Sequence, residues 1–275
     1  MKKIHLIETG IIAILFVIVF APIYPQLKYR FTRPDSYYSH GFLVPFVSLY
    51  LAYKKRDTLR KIVPQSDFVG LIILIGSLIA HVVGIALRIN VISYFSIPLV
   101  LSGISLYLGG RRFTKEILFP IGFLLFMLPL PQNIIIGISF KLKIIAAHGA
   151  TLLGNLISIQ AERSGSTIYY PGGMLLVGEP CSGLRSLISF LALGALFTQL
   201  TDAPSWKRWT LFASTIPIAL ITNLLRLTFL LVVGYIYGMK ATTGFLHDAS
   251  GFMVFILGFA CFIGLTNMLR CRLII

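Results

Sequence analysis

Apolar runs of roughly 15 to 20 residues recur from one end of this chain to the other, about what is needed to cross a bilayer. That repetition limits the fold more than any motif does. A soluble domain cannot hide so many such runs in one core. The chain is 57% hydrophobic and only 12% charged. It reads as an all-α, polytopic transmembrane helical bundle. No stretch is long or polar enough to separate domains, so residues 1–275 read as a single integral-membrane domain. Eight runs read as spans, at about 6–23, 38–53, 68–87, 91–108, 115–130, 183–200, 210–233 and 247–269. A ninth segment, 134–158, has helical period but carries Lys141, Lys143, His148 and Asn155. It reads as an amphipathic helix lying at the interface.

Charge sets the orientation. A net charge of +15 would suit a nucleic-acid partner, but the basic residues sit in short segments between apolar runs. There they fix topology instead, so no nucleic acid is expected. With the N-terminus in the cytoplasm and 134–158 at the interface, the dense clusters all lie inside. These are Lys2–Lys3, Lys54–Arg56, Arg60–Lys61, Arg111–Arg112 with Lys115, Lys207–Arg208, and Arg270 with Arg272. A crossing by 134–158 would move the last two outside. Lys28, Arg30 and Arg33 in the first outer loop run against the rule. Lys2 and Lys3 before an apolar run resemble a signal peptide, but no small-x-small site follows. The run is expected to be an uncleaved first helix in the cell membrane.

This topology brings three reactive residue types to the outer leaflet. Cys181 lies in Glu179-Pro180-Cys181-Ser182-Gly183-Leu184-Arg185-Ser186, where a polar loop meets a long apolar run. Proline suits a helix start and Ser182 is a natural cap. Free N–H groups there would favour a thiolate, the nucleophilic form. The other two cysteines, Cys261 within a run and Cys271 after the last, have no polar neighbourhood. Three cysteines do not make a disulfide framework.

Arg226 sits in Ile221-Thr222-Asn223-Leu224-Leu225-Arg226-Leu227. An arginine so placed costs about 2.5–3.5 kcal/mol on insertion scales, so it is paired or functional. Asn223, three residues earlier, shares its helix face. A permanent cation suits an oxyanion that develops when a carbonyl is attacked. A snorkelling or helix-bridging arginine is the plainer alternative. His247, in Phe245-Leu246-His247-Asp248-Ala249-Ser250-Gly251, is the imidazole placed to exchange protons with Cys181. Asp248 points about 100° away from it on a helix and suits a capping role. A second polar cluster, Asp35-Ser36-Tyr37-Tyr38-Ser39-His40-Gly41-Phe42-Leu43-Val44-Pro45, lies outside and enters the second span. Its His40 competes with His247 as the base. Metal-binding, Walker and paired-acidic motifs are absent, so neither a metal nor a cofactor is expected.

Together, Cys181-Ser182-Gly183-Leu184-Arg185-Ser186, Asn223-Leu224-Leu225-Arg226, His247-Asp248 and Tyr38-Ser39-His40-Gly41-Phe42-Leu43-Val44-Pro45 resemble the exosortase/archaeosortase family of membrane transpeptidases. The likeness runs from about residue 36 to 255. It implies Cys181 as nucleophile, with Arg226 and His247 completing the site. Ser182, Arg185, Asn223, His40 and Asp248 stand as supporting residues. It implies partners that are exported proteins with a C-terminal sorting signal: a short motif, a transmembrane helix and a basic tail. The cleaved protein would pass through a thioester to water or to a lipid or glycan acceptor. The archaeal branch tends to have arginine where this chain has His247, which points to the bacterial side. Glu179-Pro180 departs from the small or apolar residues common before the cysteine, which leaves the subtype open. Two other readings stand beside it. One is a transporter or flippase binding an anionic substrate at Arg226. The other is a structural subunit whose polar residues only join helices.

Overall fold

The structure is a computed structural model describing residues 2–33, 36–242 and 244–273. It divides into two compact units, residues 1–131 and 132–275. The first holds helices α1 (Lys2–Phe20), α2 (Tyr24–Thr32), α3 (Leu43–Lys54), α4 (Arg56–Leu59), α5 (Phe68–Ala86) and α6 (Asn90–Phe123). The second holds α7 (Gln132–Leu156), strands β1 (Glu162–Ser164), β2 (Thr167–Tyr170) and β3 (Gly173–Leu176), then α8 (Leu184–Leu200). It continues through β4 (Thr201–Asp202), α9 (Ser205–Tyr237), α10 (Phe245–Met268) and β5 (Arg272–Leu273).

Helix bears out the all-α, polytopic class. Six helical segments among the described residues are long and apolar enough to cross a membrane: Gly10–Thr32, Phe68–Ala86, Asn90–Met127, Gln132–Leu156, Ser205–Tyr237 and Ala249–Met268. Leu184–Leu200 is apolar but shorter. Large apolar side chains face outward along these helices, among them Ile14, Ile79, Ile221 and Phe252. An outward apolar surface suits lipid as solvent. The sequence pattern gave two spans between residues 91 and 130, where the helix is continuous but broken in direction. Gly110 has φ 80° and ψ −179°, a conformation only glycine adopts easily, and it divides the two limbs.

In the first unit, α5 and the first limb of α6 form a tight hairpin. Gly70 lies against the backbone of Leu106 and Tyr107, and Gly103 against Leu74. Small residues let the two backbones approach, the usual route to helix contact in lipid. Asp67 caps α5, its Oδ1 accepting from the Val69 amide at 3.0 Å. Its Oδ2 accepts from Arg111 Nε at 2.7 Å across the hairpin. Arg111 holds the half-buried Asp67 carboxyl below the usual carboxylate range. Lys55 and Glu116 pair at 2.8 Å, bringing the ends of α3 and the α6 kink together. The basic segments 54–56 and 111–115 therefore gather at one end.

In the second unit, α8 and α10 both pack on α9. Phe190, Ala219 and Val254 form the seam between the three helices. At one end, β4 pairs with β5, and Lys207 Nζ donates to the Leu269 carbonyl at 2.7 Å. Those contacts gather Lys207, Arg208, Arg270 and Arg272. At the other end of α8, about 25 Å away at 1.5 Å per residue, lies the Cys181 turn.

Two features differ from the sequence expectations. α7 was placed along the interface, yet it is one 25-residue helix, long and apolar enough to cross by length and composition. Its polarity is partly spent internally: Asn155 Oδ1 accepts from the Ala161 amide at 2.8 Å, and Nδ2 donates to the Ala161 carbonyl at 3.0 Å. That clamps the chain's exit from the helix. The second is the antiparallel sheet β1-β2-β3, absent from the sequence reading. Ile168, Tyr170, Leu175 and Val177 point from one face of it into a core shared with α7, α9 and Cys181.

Candidate active site

Cys181 ends a 3₁₀ turn, Glu179–Cys181, that follows β3. The next residue but one, Gly183, has φ +81° and turns the chain into α8. A side chain at Gly183 would meet Asn223. Ser182 acts as the local cap, its Oγ accepting from the Leu184 amide at 3.3 Å. Ser186 Oγ donates back to the Gly183 carbonyl at 2.9 Å. The turn is fastened to α9 by Asn223, whose Nδ2 donates to the Cys181 carbonyl at 3.1 Å. That carbonyl is 42 residues away in sequence, so the bond joins two elements.

Arg226 lies one turn beyond Asn223 on α9, and its Nε donates to Ser250 Oγ at 3.0 Å. Ser250 is buried in the first turns of α10, so Arg226 ties α9 to α10. The guanidinium lies beside Gly251, the next residue. Ser250 lies within the His247 motif but is not among the residues that the sequence marks as reactive. Its spacing of three from His247 was the signal available. The Cys181 turn, α9 and the start of α10 thus converge on Asn223 and Arg226.

α10 begins at Phe245, two residues before the run suggested, and Gly244 precedes it. His247 and Asp248 therefore occupy its first turn on the backbone. Their side chains lie outside the described residues. His40 belongs to the first unit, where its Nε2–H donates to the Phe126 carbonyl at 3.1 Å. Beside it, Tyr38 Oη accepts from the Leu130 amide at 3.0 Å. Arg185 is half-buried on the first turn of α8. No group of three or more His, Cys, Asp or Glu that could hold a metal ion occurs among the described residues.

The state of the thiol differs from the expectation of a helix-stabilised thiolate. Cys181 is buried, and burial pushes its thiol above the ordinary value. The Arg226 and Arg185 cations pull it down without overcoming burial. The burial comes from the sheet, whose Ile168, Leu175 and Val177 share a core with the cysteine. A raised pKa favours the thiol over the thiolate. In a chain carrying Cys261→Ala and Cys271→Ala, alkylation of Cys181 is expected to be slow at neutral pH. It should rise only at a pH above the ordinary thiol range. Arg226→Gln removes a cation that favours the thiolate, so it should move that rise to still higher pH. A pH–rate curve for alkylation that rises below the ordinary thiol range would contradict this account.

Residues 31–264 match the family model for transmembrane exosortases, and the chain belongs to that family. It is a family of membrane transpeptidases that act on exported proteins bearing C-terminal sorting signals. No curated protein and no solved structure matches the chain.

Proposed function

We propose that the chain is a cysteine transpeptidase of the cell membrane that cuts the C-terminal sorting tail of exported proteins and transfers them through a thioester. One observation carries the reading. Asn223 and Arg226, on one face of α9, join the Cys181 turn to the first turns of α10, where His247 lies. A polar knot of this kind in an apolar bundle is costly without a purpose.

The chemistry follows from the state of the thiol. His247 takes the proton from Cys181 Sγ as the sulfur attacks the scissile carbonyl. The carbonyl π electrons move to oxygen, and Arg226 stabilises the oxyanion. As the tetrahedral adduct collapses, the C–N bond breaks and His247 gives its proton to the leaving amine. The tail departs and the thioester remains. An acceptor hydroxyl, amine or water then attacks it and returns Sγ to the thiol. Asn223 holds the Cys181 carbonyl, Ser182 shapes the turn, and Arg185 adds a second cation near the sulfur. His40 is the competing base, and Asp248 flanks His247. Residues 1–275 act as one functional domain.

Charge supports an outward-facing site. Lys207, Arg208, Arg270 and Arg272 gather at the end of the second unit opposite Cys181. With 134–158 not crossing, the positive-inside rule puts that end in the cytoplasm together with the basic clusters of the first unit; a crossing α7 would part the two sets. Reporter fusions test the placement: those after residues 206 and 270 should read cytoplasmic, and those near 165 and 240 external. A cytoplasmic reading near 165 would put Cys181 on the wrong side for exported substrates and overturn the proposal.

A further inference from the structure

The strand that leads into Cys181 is an outer strand of its sheet, and the 3₁₀ turn Met239–Thr242 packs against part of it. Val177 N–H donates to the Ser166 carbonyl opposite it at 3.0 Å. Hydrogen-bonded pairs alternate along an antiparallel ladder, so Leu175 and Gly173 also turn their main-chain groups towards β2. Met174 and Leu176 turn theirs outward. Among the described residues those outward groups make no hydrogen bond. Both residues are exposed, at 46% and 64%.

The two edges of this sheet are treated differently. The β1 edge carries Glu162 and Arg163, fully in the open. Charge of that kind is how natural sheets discourage added strands. The β3 edge carries neither charge nor proline, only Gly173, Met174, Leu175 and Leu176. Its position is also particular. From Leu176 the chain runs through an extended Gly178 and one 3₁₀ turn to Cys181. At strand and 3₁₀ rises that is at most about 13 Å, or roughly four residues of extended peptide.

We propose that the outer edge of β3 binds the extended segment of the substrate as a fourth strand and delivers its scissile carbonyl to Cys181. This rests on the catalytic reading above. The occupant is the exported polypeptide, held by main-chain bonds to Met174 and Leu176 in the manner of strand addition. It lies parallel to β3. Residues before the scissile bond then occupy the edge, and the membrane helix that follows continues past Cys181. Main-chain recognition fits an enzyme that must accept many exported proteins sharing only a short motif.

The probe is the C-terminal tail of an exported protein that accumulates uncut in cells carrying Cys181→Ala. It is added to the full chain in lipid nanodiscs. Single N-methyl residues are placed at successive positions before the cleavage site. KM is expected to rise about three- to tenfold at every second position, the loss of one hydrogen bond each, with kcat little changed. Leu176→Pro deletes an outward N–H without touching the β2–β3 ladder, and it should raise KM similarly. A benzophenone side chain at residue 174 should crosslink the tail in the Cys181→Ala chain, and one at residue 163 should not. A tail that is cut normally but shows no alternation, or crosslinks from 174 that join only two copies of the chain, would overturn the added strand. If the wild-type chain cuts no tail while the 174 crosslink still forms, the catalytic reading fails and the binding edge stands.

Discussion

Cys181→Ala is expected to leave a chain that inserts and folds but does not cut, with activity down on the order of 10⁴-fold or more, the scale of losing a covalent nucleophile. The substitution is mild for the fold. The side chain shrinks by one sulfur at the rim of a core built from Ile168, Leu175, Leu227 and Leu230. The main-chain carbonyl that Asn223 holds is unchanged. Cys261 is exposed on α10 and Cys271 follows the helix, so alanine at either should process near normally. A substrate-cleavage blot on the three single variants measures this, with membrane-fraction abundance as the control for insertion. Full cleavage by Cys181→Ala would end the thioester mechanism. Equal losses in all three would point to general thiol sensitivity rather than a nucleophile.

The helical class was legible because bilayer spans leave a strong mark: long apolar runs separated by short basic loops. The kink at Gly110 falls where the run was interrupted by Gly109-Gly110-Arg111-Arg112. The sheet was not read, because its strands are only three or four residues long and lie in a segment that looks like a loop. The marks were there. Pro171-Gly172 between Tyr170 and Gly173 is a tight-turn pair, with Gly172 at φ +91°. Thr167-Ile168-Tyr169-Tyr170 is rich in strand formers. Missing the sheet had a consequence for chemistry. Without it, Cys181 looked like an exposed helix-start cysteine with a lowered pKa, whereas the sheet buries it and raises the pKa. The partners of Arg226 and His40 were equally out of reach. Ser250 is 24 residues from Arg226 and the Phe126 carbonyl is 86 from His40, and no local pattern encodes either bond.

Arg226 and His247 should fail in different ways, and the difference decides what each does. Arg226 is proposed to meet a charge that exists only after attack, so its loss should fall on kcat, by about 10²–10³-fold for one such donor. Arg226→Lys keeps the charge but replaces a planar fork with a point. It cannot hold Ser250 through Nε and face the oxyanion at once, so it should remain badly impaired. Ser250→Ala removes only that tether and should cost less than either change at Arg226. His247 is proposed to move protons, so its loss should change the shape of the pH profile as well as its height. A wild-type rate limb set by imidazole should disappear in His247→Ala. The remaining activity should climb with pH as the buried thiol ionises unaided. His40→Ala should lower activity through substrate handling without reshaping the profile, since its Nε2–H is already committed to the Phe126 carbonyl. Single-turnover cleavage of a sorting-tail substrate across pH 5 to 9 separates these outcomes. If His247→Ala keeps the wild-type profile while His40→Ala is dead, the proton carrier is His40.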